Sequence, residues 1–188
     1  MYQKIATEGI VLRKRAVGEA NLRVYILTHE AGLVVASARS ARVAQSKLRY
    51  GLEPLTRARF CFVRGAHEWR VTEAADATKL FARVEPARRV AAGRVVQLLL
   101  RLVYGQEVSP ELYATVRQGF DALHTQDTAS VEVVLVLRIL AHLGYLPQTD
   151  ALAPYVEGEF DIELSAQALK DRSLLVRTIN ESLKATGL

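Results

Sequence analysis

Five short segments in the first 75 residues decide the fold of this chain. They are GIVLRKR at residues 9–15, LRVYILT at 22–28, LVVASAR at 33–39, PLTRARFCFVR at 54–64 and EWRVTEA at 68–74. Each is rich in β-branched, aromatic or other apolar residues, and turn-forming residues separate most of them at hairpin length. This spacing predicts five consecutive β-strands.

Residue alternation within these segments indicates strands that are buried on one face. Phe60 and Phe62 share one face of the fourth segment, whereas Arg57 and Arg59 share the other. Apolar residues facing inward and arginines facing outward are expected of a barrel wall. The segments therefore predict a closed or nearly closed barrel of the oligonucleotide-binding (OB) type, with an SH3-like barrel as the alternative.

After Asp76 the apolar residues recur at helical spacing. Helices are predicted at residues 92–104, 109–124, 129–146 and 171–186. Ser109 followed by Pro110 is typical of a helix start, and Gly144 followed by Pro147 is typical of a helix end.

The two patterns together predict a mixed α+β chain. A five-stranded OB-fold barrel is expected over residues 1–78, followed by an α-helical domain over residues 79–188. Within the helical domain, residues 147–163 are rich in turn-forming and acidic residues and predict an irregular connector.

The positive charge is concentrated in the predicted barrel. Residues 1–75 contain 13 Lys or Arg and 6 Asp or Glu, whereas residues 76–188 contain 12 and 14. A basic excess confined to one part of a chain is expected where that part meets a polyanion such as nucleic acid. A domain whose charge serves only its solubility is the alternative.

The sequence offers no recognisable catalytic motif. It has no phosphate-binding glycine loop, no G-x-S-x-G segment and no H-E-x-x-H pair. The four histidines are scattered, and the single cysteine, Cys61, stands between two phenylalanines as packing residues do. We therefore predict a protein that is not an enzyme and that uses neither a metal nor another cofactor.

The longest apolar run, Val133 to Leu137, is far shorter than a membrane span. The opening residues MYQKIATEGIVLRKR lack the apolar core and cleavage site of a signal peptide. A cytoplasmic protein without a membrane partner is expected.

Several segments, taken in order, resemble the RecO family of DNA repair proteins. In the barrel the matching residues are Gly18-Glu19, Thr28 to Gly32, Ala38 to Arg42 and Leu52 to Pro54. Further along, LRILAHLGYLPQTD at 137–150 resembles the family's L-R-L-L-x-x-L-G-Y-x-P helix end, and INESLKATGL at 179–188 resembles its closing helix. The resemblance runs from about residue 8 to residue 188.

The chain departs from the family pattern at two places. Many members carry four cysteines of a structural zinc site after the L-G-Y-x-P segment, whereas TDALAPYVEGEFD at 149–161 contains none, so no zinc is expected. Ser40 stands where the family usually has glycine. If the backbone needs a positive φ there, a serine is strained.

The resemblance implies a recombination mediator. Such proteins bind single- and double-stranded DNA and anneal complementary strands. Together with RecR and the single-stranded-DNA-binding protein (SSB), they help load RecA onto coated single strands. The resemblance thus implies a bacterial protein associated with the nucleoid.

DNA binding without sequence preference needs cations along a groove. The first candidates are Arg13, Lys14 and Arg15 in the first strand and Arg39, Arg42, Lys47 and Arg49 in the loop between strands three and four. A second group comprises Arg23, Arg57 and Arg59. Tyr50 is the best candidate for stacking on a base, ahead of Tyr25 and Trp69, of which Trp69 is expected in the core.

The family's contact with the acidic tail of SSB implies an apolar groove with basic residues on the helical domain. Arg138 lies in the matching helix and is the candidate for this contact. One turn upstream, however, Val133, Val134 and Leu135 replace the basic and aromatic residues of the family.

Two other functions fit parts of the sequence. An OB-type RNA-binding or ribosome-associated module would prefer structured RNA to single-stranded DNA. A scaffold acting through its helices alone would show no salt-dependent DNA retention. A nuclease would need clustered carboxylates that the sequence does not assemble.

Overall fold

The computed structural model describes residues 3–103, 108–147 and 149–185. The described residues form five strands, which are β1 Lys4–Val17, β2 Asn21–Thr28, β3 Gly32–Ala38, β4 Thr56–Arg64 and β5 Trp69–Lys79. They also form six helices, which are α1 Pro86–Leu102, α2 Pro110–Thr125, α3 Thr128–His142, α4 Ala153–Val156, α5 Ile162–Lys170 and α6 Arg172–Ala185. None of these helices is long and apolar enough to cross a membrane.

The chain divides into two compact units. The barrel unit comprises Met1–Ala82 and Val103–Tyr113, and the helical unit comprises Arg83–Leu102 and Ala114–Leu188. The described residues 103 and 108–113 are thus grouped with the strands, although they follow the predicted domain boundary at residues 78/79. Tyr113 contacts β1, since its hydroxyl donates a hydrogen bond to Oε1 of Glu8 at 2.6 Å.

The five strands close into a barrel in the order β1-β2-β3-β5-β4. Neighbouring strands are antiparallel except for β3 and β5, which are parallel and share two residue pairs, Ala36 with Trp69 and Ser37 with Arg70. This is the predicted OB arrangement, so the fold class is confirmed.

Strand β1 is long enough to serve both of its neighbours. Its first part, Lys4 to Ile10, pairs with β4, and its second part, Gly9 to Val17, pairs with β2. The pairing with β2 shifts between Val11 and Arg13. The residues of β1 beyond Ile10 therefore pair with β2 and not with β4.

The barrel interior follows the predicted alternation. Val24, Ile26, Phe60, Phe62 and Val71 belong to one buried cluster. The connection from β3 to β4 closes this core, since Ala41 and Leu52 are also buried in it. Their burial fixes a long loop to the barrel at both ends.

Helix α3 is the centre of the helical unit. Nine of its 15 residues are buried, and it packs against α1, α4, α5 and α6. Asp127 caps its start by accepting a hydrogen bond from the Ser130 backbone N–H.

The four predicted helices correspond to α1, α2, α3 and α6. Tyr104 and Thr186, at two of the predicted ends, lie outside the described residues. Helix α5 was not anticipated, and the short α4 interrupts the segment read as irregular. Asp161 provides the start signal for α5 by capping the Leu164 N–H.

Candidate nucleic-acid interface

The hairpin of β1 and β2 places arginines side by side on the outside of the barrel. Leu22 and Val24 of β2 are buried in the core, so Arg23 between them faces outward. Arg15 of β1 is its direct cross-strand partner. Residues paired in this way have Cβ atoms about 5 Å apart, which brings two like charges together.

The same outward row continues across β3 into β5. Arg23 pairs with Ser37, and Ser37 pairs with Arg70. Sequence reasoning missed Arg70 as a site residue. Its signal was the alternation Trp69-Arg70-Val71, in which the flanking residues pack against the core and the arginine points away from it.

The start of the β3–β4 loop adds two more arginines near the β1–β2 turn. Arg42 donates from Nη1 to the Gly18 carbonyl at 2.8 Å, and its backbone N–H donates to the Ala20 carbonyl at 3.0 Å. Arg39 and Arg23 line one open cleft of about 230 Å³, together with Glu68. The hairpin and the loop therefore form one continuous surface.

We call this surface the basic face. It consists of Arg13, Arg15, Arg23, Arg39, Arg42 and Arg70. Arg13 belongs to it because it pairs with Tyr25 across the hairpin, with its guanidinium carbon 6.0 Å from the centre of the Tyr25 ring. An acidic side chain opposes this face at Arg23, since Oε2 of Glu68 lies 3.2 Å from Nη2 of that arginine.

Lys14 does not join the basic face. It pairs with the inward-facing Val24 and so projects from the opposite side of β1. Its Nζ lies 2.6 Å from both carboxylate oxygens of Glu53 in the β3–β4 loop. Its charge is balanced within the barrel unit, which disfavours a primary role in phosphate binding.

The other predicted loop residues are exposed. Lys47, Arg49 and Tyr50 follow the buried Ala41, and the Tyr50 side chain is 67% exposed. An exposed tyrosine next to an arginine has the geometry needed to stack on a base. Trp69, by contrast, packs against the core, with the Arg64 guanidinium 5.1 Å from its ring centre.

Arg57 and Arg59 lie outward on β4 and away from the basic face. They pair with Ile10 and Glu8, in the part of β1 that precedes the shift in pairing. Arg59 also forms an ion pair with Asp76 at 2.7 Å. The structure therefore separates Arg57 and Arg59 from Arg23, which lies with the other arginines of the hairpin.

Arg138 is a structural residue of the helical unit. It is 3% exposed, and its guanidinium donates to the carbonyls of Tyr155, Glu157, Gly158 and Glu159. Burial lowers the pKa of this guanidinium from its ordinary value. Because its donors are used within the chain, the geometry does not favour the predicted contact with an acidic tail.

Comparison with known proteins agrees with the architecture of the barrel unit. Residues 1–81 match the family model described as Recombination protein O N terminal. The chain is similar to the RecO family over most of its length. It is 30% identical over 148 residues to the DNA repair protein RecO of Moorella thermoacetica, covering 78% of this chain and 55% of the relative.

Other RecO proteins show similar sequence identity and coverage. The protein of Heliobacterium modesticaldum is 30% identical over 75% of this chain and 52% of its own length. That of Myxococcus xanthus is 29% identical over 77% of this chain and 60% of its own length. The chain thus spans about half the length of the curated RecO proteins it matches.

Proposed function

We propose that this chain is a non-enzymatic mediator of DNA repair and homologous recombination. It binds single- and double-stranded DNA through the basic face and anneals complementary strands. With RecR it helps to load RecA onto single strands coated by SSB. Similarity to the RecO family supports this role, because the curated relatives are named DNA repair proteins.

The pairing of Arg15 with Arg23 carries the DNA-binding part of the proposal. Like charges placed directly opposite each other destabilise a sheet. The arrangement becomes favourable when phosphates lie over both guanidinium groups, because each contact releases condensed counterions. The neighbouring Arg39, Arg42 and Arg70 extend the same surface along a path that a sugar-phosphate chain can follow.

Annealing needs no catalytic group. A protein that neutralises phosphates and leaves base edges accessible lets complementary strands pair. The basic face can neutralise phosphates in this way, since it consists of six arginines. The ring of Tyr25 lies beside Arg13 on the hairpin. Tyr50 is proposed to stabilise the bound single strand by stacking.

Fluorescence anisotropy with labelled single-stranded DNA across a salt series tests this function. If six phosphates are neutralised, the logarithm of the affinity falls with the logarithm of salt with a slope of about −4. The variant Arg15→Glu/Arg39→Glu should lose nearly all binding, whereas Arg177→Glu on α6, an exposed arginine of the helical unit, should retain it. Unchanged binding by the double variant would remove the basic face from the site.

Adding the complementary strand to the same assay tests annealing. Wild-type protein should accelerate duplex formation, and the double variant should not. Competition with structured RNA distinguishes this function from that of an RNA-binding module. If RNA displaces single-stranded DNA at lower concentration than unlabelled DNA does, the chain is an RNA-binding module instead.

A further inference from the structure

A groove in the helical unit lies between the end of α3 and the short helix α4. Its volume is about 860 Å³, which is within the usual range of ligand sites in proteins. Gly144, with φ 74°, ends α3 and turns the chain toward α4. We call this space the connector groove.

Apolar side chains form one part of the connector groove, and polar residues, among them His142 and Thr149, form the rest. The apolar residues that line it include Leu146, Pro147, Ala153 and Val156. The α4 wall is held in place, because the buried Arg138 binds the backbone carbonyls at the end of that helix. A preformed groove loses less conformational entropy on binding than one that must first be ordered.

The rim of the groove is negatively charged. Asp150 and Glu157 line it, and both are exposed. No Lys or Arg occurs in the sequence from residue 139 to residue 169, whereas five acidic residues do. Among the described residues, neither of the two rim carboxylates takes part in an ion pair.

We infer that the connector groove binds a short peptide segment of a partner protein in which an apolar side chain is flanked by lysines or arginines. The apolar side chain fills the space between Leu146 and Val156, and the flanking cations meet Asp150 and Glu157. Complementary charge of this kind selects the partner and speeds its approach. An acidic segment is excluded from the same groove, because its carboxylates would face those of the rim.

Binding of synthetic peptides to the full chain tests this inference. The probe is a fluorescent peptide with a central leucine pair flanked by lysines. Two matched peptides serve as controls, one with glutamates in place of the lysines and one with serines in place of the leucines. Only the first should bind, and its affinity should fall as salt is raised.

Variants of the chain locate the site. Asp150→Lys/Glu157→Lys should weaken binding of the lysine–leucine peptide by at least about tenfold, since two attractions become repulsions. Val156→Glu should weaken it by placing a charge in the apolar wall. Glu181→Lys, an exposed carboxylate on α6, makes the same kind of charge change elsewhere and should leave the affinity unchanged.

Three results would overturn the inference. They are equal binding of the serine control, unchanged affinity in the Asp150→Lys/Glu157→Lys variant, and self-association of the chain that the same variant abolishes. The inference does not depend on the proposed DNA function. The groove variants should bind single-stranded DNA as the wild type does, so the two proposals can fail separately.

Discussion

Arg15 on β1 and Arg23 on β2 are direct cross-strand partners on the outside of the barrel. Arg23 has a local counter-charge in Glu68, at 3.2 Å. One exposed carboxylate beside two adjacent guanidinium groups leaves a net positive surface. The pair thus costs the unliganded protein some stability and favours a bound polyanion.

Replacing Arg15 by serine should separate these two effects. The free energy of unfolding should rise by about 0.3 kcal/mol, because the repulsion with Arg23 is removed. Affinity for single-stranded DNA should fall, and the salt slope should become shallower by about 0.7, the value of one lost phosphate contact. Urea unfolding and anisotropy measure the two quantities.

Arg23→Ser is the matched comparison, since it also removes the ion pair with Glu68. It should weaken DNA binding without the gain in stability. A loss of stability in Arg15→Ser equal to that in Arg23→Ser would contradict the assignment of repulsion to the pair.

The backbone at Ser40 has the positive φ at which a serine is strained. Its φ is 50°, and its N–H donates to Oδ1 of Asn21 at 2.9 Å. Ser40→Gly should relieve the left-handed strain and raise stability by up to about 1 kcal/mol, reduced by the greater freedom of glycine in the unfolded chain. Ser40→Ala retains the strain and should give no gain, which thermal unfolding of the three proteins can check.

Arg138 should be essential for the stability of the helical unit. Arg138→Met leaves the carbonyls of Tyr155, Glu157, Gly158 and Glu159 without their donor and removes a buried side chain from α3, and we expect a loss of about 3 kcal/mol in the free energy of unfolding. Arg138→Lys should recover little of it, because an ammonium group cannot reproduce the planar fork. Arg177→Met is the surface control. Normal urea stability of Arg138→Met would contradict this structural role.

Tyr155 should make stability depend on pH in the alkaline range. Burial, followed by the hydrogen bond of its hydroxyl to Asp171, raises the pKa of Tyr155 from 10.0 to about 12. The folded state therefore favours the neutral phenol. Its contribution is fully present below the unfolded pKa near 10 and is lost as the pH rises toward 12.

Comparison with Tyr155→Phe isolates this contribution. The wild type should be more stable than the variant by about 1 kcal/mol below pH 10, because the variant lacks the hydrogen bond to Asp171. The difference should narrow as the pH rises above 10. A constant difference in urea unfolding across this range would show that the phenol does not titrate as stated.

The barrel and its outward arginines were predictable because they follow local alternation. Phe60 and Phe62 are buried and Arg59 is exposed, as their positions in the segment indicated. The partners of Lys14 and of Arg70 both lie far from them in the sequence. Lys14 meets Glu53, 39 residues away, and Arg70 joins the site through a parallel pairing with β3. Sequence patterns do not encode such pairings directly.

The role of Arg138 was not predictable for a different reason. A single arginine on an apolar helix is equally compatible with a binding groove and with a buried hydrogen-bonding role. The distinction depends on residues 155–159, whose carbonyls the sequence does not place. In this chain, hydrogen bonds from Arg138 to the carbonyls of residues 155 and 157–159 hold the connector in place.

The barrel is closed along one of its seams by the two residue pairs that join β3 to β5. Such a short seam should open more often than the others, and the amides near Ala36 should exchange with solvent early. Arg23 and Arg70 flank this seam on its outer side. A nucleic-acid strand bound to both arginines would bridge β3 and β5. Bound nucleic acid should therefore slow amide hydrogen exchange most at the two residue pairs that join these strands.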